Sequence, residues 1–410
     1  MAGKILILTP QTPYPPDQGA PIRNYNFIRY LGNTGKYNLT LLTFARPDED
    51  AAIQKAAIAE LSKYCQRVEI VPAPTPRSKL KRLRAMALDL RPDLALRLAS
   101  SNFTKKLRQL VFETRPDTLL CEALELAPFV LELFSEPLSF RPRLILDEHN
   151  AEYLLQQRAF ESDSRAGLRR WPTAAYSFIQ TRRLRRYEKA SLKFFDAAIA
   201  VSPDDKAALE RLKALKPITV IPNGIDLEEF TPDESVAERP DQLVFTGSMD
   251  FRPNVDAVVW FAQKVWPLIR REKPNASFYI VGRRPAPIVL ALASLPGIVV
   301  TGKVLDTRPY VRESALYVVP MRMGGGVRFK VLEALAQGKA VLTTPMGADG
   351  ITLVAGRDAA IANSPAEFAN EAIRLLNDPA RRHEIAHKGR QFVSENYDWR
   401  KITPLLDEVL

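Results

Sequence analysis

Three consecutive glycines, Gly324-Gly325-Gly326, are closely followed by Arg328, Lys330 and Glu333. Glycine lets a backbone N–H come close to a ligand, so the amides of Gly324, Gly325, Gly326 and Val327 could converge on an anion. A helix beginning near Val327 would add the positive end of its dipole, and Arg328 and Lys330 would add full charges. Glu333, one or two turns further on, could accept hydrogen bonds from sugar or ribose hydroxyls. The chemistry is phosphate binding beside a hydroxyl-bearing group. The same pattern also fits a plain glycine-rich loop with a solvated helix face. A second polar cluster, Asp147-Glu148-His149-Asn150, directly follows an apolar run. A lone histidine is more often structural than catalytic, but the end of a parallel strand is where α/β sheets place ligands. The other two histidines, His383 and His387, lie in a charged helical segment and read as surface residues.

Regular elements must hold these residues. Leu316 to Pro320 reads as a buried strand and Ala340 to Thr344 as the next, with Gly338 ending the helix between them. At 100° per residue, Val331, Leu332, Leu335 and Ala336 share one helix face, and Lys330, Glu333 and Gln337 share the other. This is a strand–turn–helix–strand unit of the phosphate-binding kind. The chain opens with a strand, Lys4 to Thr9, then a proline-rich loop and Gly19 before a helix near Pro21. Further strands are expected at 39–43, 68–71, 117–122, 143–147, 197–201 and 218–221. In the second half they recur at 242–246, 277–281, 298–301 and 358–361, with a long helix from Val255 to Arg271. The polar stretch Thr231 to Asp241 reads as a linker between two α/β halves.

The 410 residues suffice for two or three domains, and 46% apolar with 26% charged residues is a globular balance. Cys65 and Cys121 have no metal-ligand or pairing spacing and are expected to fill core space in a reducing compartment. No leader-like segment and no bilayer-length apolar run is present, which predicts a cytoplasmic protein. The net charge of +11 implies an anionic partner. Two basic blocks, residues 77–115 and 165–193, interleave Arg and Lys with Leu, Trp, Tyr and Phe at helical spacing. They fit solvated helix faces, or docking on an anionic membrane surface at the inner face of the cell membrane.

Several linked segments carry a family resemblance: IPNGIDLEEFTP, LVFTGSMDFRPNVDAVVWFAQKVWPLIRREKPNASFYIVGRRP and MGGGVRFKVLEALAQGKAVLTTPMGADGI. With TPYPPDQGAPIRNYNFIRYL, LDEHNAEY and FDAAIAVSPDD from the first half, they resemble the retaining glycosyltransferases of family 4. The subset with the Gly-Gly-Gly and PNVDAV segments resembles transferases of exopolysaccharide and cell-envelope assembly. The resemblance implies two Rossmann-like domains facing each other across a cleft. Residues 1–222 would lie on the acceptor side and 223–391 would bind the nucleotide sugar, with a helix over 392–410 crossing back to the first domain.

Residue by residue, the resemblance implies that Glu333 binds the ribose hydroxyls. The family's other glutamate, which contacts the transferred sugar, falls at Gly325. The usual Arg and Lys after the first strand of the second domain are out of register. Charge on the leaving diphosphate is then expected to fall to Arg328 and Lys330, with Arg252 behind them and the Gly19 backbone N–H. Arg283 and Val304 follow strands that flank the nucleotide, and His149 matches the family's histidine near the transferred sugar. The implied reaction moves a sugar from a nucleoside diphosphate to an acceptor hydroxyl, with retention and without metal or other cofactor. Expected partners are that donor, a saccharide or lipid-linked acceptor and an anionic membrane surface, but no nucleic acid. A nucleotide-sugar epimerase on the same fold, or a basic nucleotide- or membrane-binding protein with a decayed site, would be the alternatives.

Overall fold

The computed structural model describes residues 2–17, 19–47, 49–136, 138–165, 170–324 and 328–410. Its Cα packing divides the chain into two units, Met1–Pro222 with Thr403–Leu410, and Asn223–Ile402. The first contains strands β1 (Gly3–Thr9), β2 (Tyr37–Phe44), β3 (Arg67–Val71), β4 (Thr118–Glu122), β5 (Arg143–Glu148), β6 (Ala197–Ala200) and β7 (Ile218–Val220). They form one parallel sheet in the order β3-β2-β1-β4-β5-β6-β7. The second contains β8 (Arg239–Thr246), β9 (Ser277–Val281), β10 (Ile298–Gly302), β11 (Ser314–Val319), β12 (Ala340–Thr343) and β13 (Ala360–Ile361). These form a parallel sheet in the order β10-β9-β8-β11-β12-β13. The expected two-domain α/β architecture is present.

The strands are apolar runs rather than alternating ones because helices cover both faces of each parallel sheet. Every residue of β4, β6, β11 and β12 is buried. In the first unit Leu6, Leu42, Leu119 and Leu144 join Phe44, Phe103 and Phe129 in the core, with the Phe44 and Phe103 rings stacked at 4.3 Å. In the second, Trp260, Phe261, Trp266, Phe278 and Phe368 pack together. Cys65 and Cys121 are buried as free thiols.

Both sheets change direction once. Strands are added on one side of β1 through β3, and the chain then returns to lay β4 on the other side. The second sheet does the same between β8 and β11. The crevice above such a switch point is where open α/β sheets hold ligands, because the flanking loops diverge there.

Three expectations need correction. The stretch 231–241 is not a linker: the units meet at Pro222/Asn223, and β8 already begins at Arg239. The single helix expected over 255–271 is instead Arg252–Trp260, a π-helical turn Phe261–Val265, and Trp266–Glu272. Pro267 has no N–H to donate, and a wider turn ahead of it absorbs the misfit. The return expected from residue 392 starts later: residues through Ile402 group with the second unit, and Thr403–Leu410 with the first. There Leu406 and Val409 are buried, and Asp407 accepts hydrogen bonds from Lys36 Nζ (2.6 Å), Tyr30 and Tyr37 (each 3.2 Å).

The helix Phe329–Ala336 is held from outside by the helix Pro379–Asn396, which approaches it at Gly389. A Cβ at Gly389 would lie 2.5 Å from the Asp358 carbonyl oxygen and 2.6 Å from Leu335 Cδ2. Gly389→Val should therefore destabilise the second unit by about 1–3 kcal/mol, the usual cost of overpacking. A melting temperature lower by several degrees would confirm it, and an unchanged one would show that the helices can part freely.

Candidate functional site

In the second unit, the loops above the β8/β11 switch point bring three sequence-distant segments together. After β8 the chain turns at Gly247, after β9 at Gly282, and after β11 it leads through Gly324 to the helix Phe329–Ala336. Gly282 must be glycine: a Cβ there would sit 1.7 Å from the Gly247 carbonyl oxygen. Gly247 N–H donates to Val281 O at 3.0 Å, and Met249 N–H to Arg283 O at 2.8 Å, so the two turns lie side by side. Lys330 reaches over the first turn. Its Nζ donates to Thr246 O (2.8 Å) and Asn254 Oδ1 (2.9 Å) and lies 4.0 Å above the Phe245 ring. A Cβ on Gly247 would fall 2.9 Å from that nitrogen. Asn254, itself buried, donates from Nδ2 to Ser248 O at 2.9 Å. Lys330 and Asn254 thus hold the Gly247 turn in place.

The helix presents the face expected of it in part. Val331, Leu332, Leu335 and Ala336 are buried, and Lys330 and Glu333 are half-buried. Gln337 is not on the solvated face: it is buried, with Nε2 donating to Glu333 O at 3.1 Å. The helix starts at Phe329 rather than Val327, with Arg328 in the capping position. The Arg328 guanidinium lies against Gly324 (φ 118°), where a Cβ would be 2.8 Å from Nη2. Gly325, Gly326 and Val327 lie outside the described residues. Burial, reinforced by Arg328 and opposed by Glu333, lowers the Lys330 ammonium to about 7. Burial likewise raises the Glu333 carboxyl to about 7 against the pull of Lys330. These two side chains can therefore change charge near neutrality.

Arg252 is exposed at the start of its helix, Arg283 is exposed after β9, and Val304 is half-buried beyond β10. All three lie at the same ends of their strands as the glycine turns.

In the first unit, the β1/β4 switch point gathers Gly19, Arg23 and Asn24 from the helix Gly19–Asn33 with the ends of β4 and β5. The loop before Gly19 is fastened by Arg46, which donates to Thr12 O (3.0 Å), Pro15 O (2.5 Å) and Asp17 Oδ1 (2.8 Å). Register places Glu122 directly beside Asp147. Arg23, 1% exposed, clamps both oxygens of Asp147 at 2.6 and 2.9 Å and donates to Ile221 O at 2.9 Å. His149 sits at the mouth, Nε2 3.2 Å from Glu122 Oε2 and 3.9 Å from Asp147 Oδ2. Burial lowers its imidazole to about 4, so it is neutral at ordinary pH. Burial and then the Asp147 charge push the Glu122 carboxyl well above the usual carboxylate range. Burial would raise Asp147 too, but the charge and hydrogen bonds of Arg23 outweigh it and hold Asp147 low.

Glu122, Asp147 and His149 offer ligand atoms within 4.8 Å of one another, close enough for a cation. Arg23 already neutralises Asp147 there, so a metal would have to compete with a buried guanidinium. Sequence reasoning missed Arg23, Asn24, Glu122 and Asn254 as parts of these sites. Asn254 stood in the PNVDAV segment, and Arg23-Asn24 in the segment after the proline-rich loop. Nothing in the residues around Glu122 sets it apart before the strand pairing is known.

Replacing Arg23 by Met would leave Asp147 buried without a counter-charge, which typically costs about 3–5 kcal/mol. Urea unfolding should show that loss, and Arg23→Met combined with Asp147→Asn should recover part of it. Equal loss in single and double variants would show that the pair is not the source.

Residues 18–229 match the family described as Glycosyltransferase Family 4, and residues 240–378 the one described as Glycosyl transferases group 1. A 44.6 kDa uncharacterized protein in a cps region of Klebsiella pneumoniae is 23% identical over 97% of each chain. Among solved structures, sucrose-phosphate synthase from Thermosynechococcus elongatus superposes with a TM-score of 0.70 at 16% identity, over 99% of this chain and 98% of its own. HepE from Anabaena, solved with UDP and glucose, gives 0.64 at 16% identity over 99% of each chain.

Proposed function

The chain belongs to glycosyltransferase family 4, and from that premise we propose that it moves a sugar from a nucleoside-diphosphate sugar to an acceptor hydroxyl, with retention at the anomeric carbon. The observation that carries this reading is the second-unit switch point, where Lys330 reaches over the Gly247 turn, Arg328 lies against Gly324, and Glu333 follows them on the same helix, electrostatically coupled to Lys330. Arg328, the third N–H of Lys330 and the turn amides receive the diphosphate, with Arg252 behind them. Glu333 accepts hydrogen bonds from the ribose hydroxyls, and Arg283 and Val304 flank the base or ribose. Within the first unit, the Gly19 N–H is the proposed donor to phosphate, and His149 the proposed acceptor of a hydrogen bond from a sugar hydroxyl.

In the reaction the bond from the anomeric carbon to the β-phosphate oxygen breaks, and one to the acceptor oxygen forms on the same face. The acceptor's proton passes to the departing phosphate. Cations and N–H groups fixed beforehand favour the charge that develops on the leaving diphosphate. No protein carboxylate need act as nucleophile. The UDP-bound HepE structure supports a nucleotide donor, and the Klebsiella pneumoniae relative from a cps region supports a role in polysaccharide or glycolipid assembly.

We further propose that the protein docks on the surface of an anionic membrane. No helix among the described residues is long and apolar enough to cross a membrane. Many cations of the block 77–115 are spent within the fold: Arg77 pairs with Asp93, Arg91 with Asp89, and Lys106 with Glu69. The helix Trp171–Phe194 differs. Its outward stripe has Trp171 (64% exposed) and Phe178 at one end, then Arg182, Arg185 and Arg186, all exposed. Its inward stripe carries Ala174, Ser177, Gln180 and Glu188. An aromatic end followed by a cationic shaft suits the boundary of an anionic bilayer, with rings at the headgroup level and guanidinium groups on phosphates.

Solution experiments test the activity and the location separately. A thermal-shift screen of nucleoside diphosphates should find one that stabilises the protein, and the matching nucleotide sugars should then be hydrolysed slowly. Glu333→Ala should weaken that nucleotide about 10–100-fold, the size of hydrogen bonds to a charged group. Affinity should also fall as pH rises through about 7, where Lys330 loses its proton, and Lys330→Met should flatten that dependence. No stabilisation by any nucleoside diphosphate would sink the reading. For location, co-sedimentation with phosphatidylglycerol vesicles should drop about 10-fold or more in Arg182→Glu/Arg185→Glu/Arg186→Glu, at about 1 kcal/mol per charge. Undiminished sedimentation of that variant would rule out this helix as the contact.

A further inference from the structure

We infer that Glu122 is a positioning residue: as a neutral acid it accepts the Nε2–H of His149 and so leaves His149 Nδ1 as the atom that takes a hydrogen bond from the substrate. The inference deepens the role given to His149 above and rests on that role for its catalytic meaning, though not for the geometry.

Glu122 and Asp147 are register partners on adjacent parallel strands, so their side chains leave the same face of the sheet. Both are buried, at 1% and 0% exposure. One guanidinium serves them, and it gives both of its facing nitrogens to Asp147. Two buried carboxylates beside a single cation do not both ionise, and the one holding the hydrogen bonds keeps the charge. Glu122 therefore keeps its proton.

The contacts of Glu122 assign that proton to one oxygen. Both N–H donors that approach the carboxyl meet Oε2 and none meets Oε1, so the proton belongs on Oε1, from a side chain within hydrogen-bonding reach of Asp147. Oε2 is then the carbonyl oxygen. Asn24 Nδ2, turned toward it, donates at 2.9 Å and also reaches Ala20 O at 3.3 Å. His149 Nε2 lies 3.2 Å from the same oxygen. A bare ring nitrogen there would set lone pair against lone pair, so Nε2 carries the hydrogen and Nδ1 does not.

The charged and titratable groups facing His149 are thus Arg23 from the first helix, Glu122 from β4 and Asp147 on its own strand. Glu148, the next residue, points to the opposite face, toward Glu188 and Glu152. Arg23 and burial both disfavour a charged imidazole. The relay runs from Arg23 through Asp147 and Glu122 to His149. Its product is a neutral imidazole with a fixed tautomer.

Nitrogen-15 labelling of histidine reads this directly, since the chain holds only three histidines. Long-range proton–nitrogen correlation, with the His149 signals assigned by their loss in His149→Gln, should show an Nε2–H tautomer that stays neutral well below pH 6. Glu122→Gln should keep that tautomer, because its amide oxygen still accepts from His149 and its NH₂ still donates to Asp147. Glu122→Leu should yield a mixture of tautomers. An Nδ1–H tautomer in the wild-type protein, a His149 that titrates at the ordinary histidine value, or a mixture in Glu122→Gln would each overturn the inference. With a donor in hand, Glu122→Leu should lower kcat about 10-fold or more, the size of one lost hydrogen bond, while Glu122→Gln stays within about 3-fold. The NMR result stands even if no transfer is found, so failure of the transferase reading and failure of this inference are separable.

Discussion

A parallel sheet that first grows outward on one side and then turns back to grow on the other leaves two adjacent strands whose following helices depart in opposite directions. No connecting segment can cover the gap above those strands. Both units of this chain contain that gap, between β1 and β4 and between β8 and β11. Groups with shifted protonation lie at the gap in both: Glu122, Asp147 and His149 in the first unit, Lys330 and Glu333 in the second. Arg23, Asn24, Glu122, Asp147 and His149 surround the first, and Lys330, Arg328, Glu333 and Asn254 the second. Chain topology, more than any single motif, decides which side chains meet.

The two gaps solve opposite electrostatic problems. In the first unit, two acids share one cation, and the misfit is relieved by one acid staying neutral. In the second, two cations stand beside one acid, and burial brings both Lys330 and Glu333 to about 7. A site whose surplus positive charge is partly given up near neutrality suits the phosphate binding proposed above without holding a large permanent repulsion. Lys330 also has a mechanical part. Its bonds to Thr246 O and Asn254 tie the helix to the Gly247 turn, so moving the amine moves the backbone amides beside it.

What could be read from the chain depended on the range of the interaction. Val331, Leu332, Leu335 and Ala336 declared a helix face by their spacing alone, and all four are buried. Glycine turns after strands were equally visible. Gln337 was misread because its spacing matched the polar face while its amide turned back onto the helix at Glu333 O. The long helix around Val255 was misread because nothing but Pro267 marks the π-helical turn. Glu122 was invisible for a deeper reason: its neighbours Asp147 and Arg23 are brought to it by strand register and by a helix from the start of the chain. Pairing of that kind is a property of the sheet, and no local window contains it. The basic blocks divided in the same way, since only the structure shows which cations already have an acid partner.

The short 3-10 segment Thr403–Glu408, anchored by Asp407 to Lys36, Tyr30 and Tyr37, means that the polypeptide passes between the units twice, at Pro222/Asn223 and at Ile402/Thr403. The linear chain is closed back on its first unit by non-covalent packing of 403–410, so the two halves are not beads on a string. A single protease cut at either crossing leaves them tethered by the other. A fragment ending at Pro222 would also lack the segment that covers part of its own first helix and second strand. Neither half is a cassette that can be swapped with one splice; any chimaera with a homologous chain has to be joined at two seams.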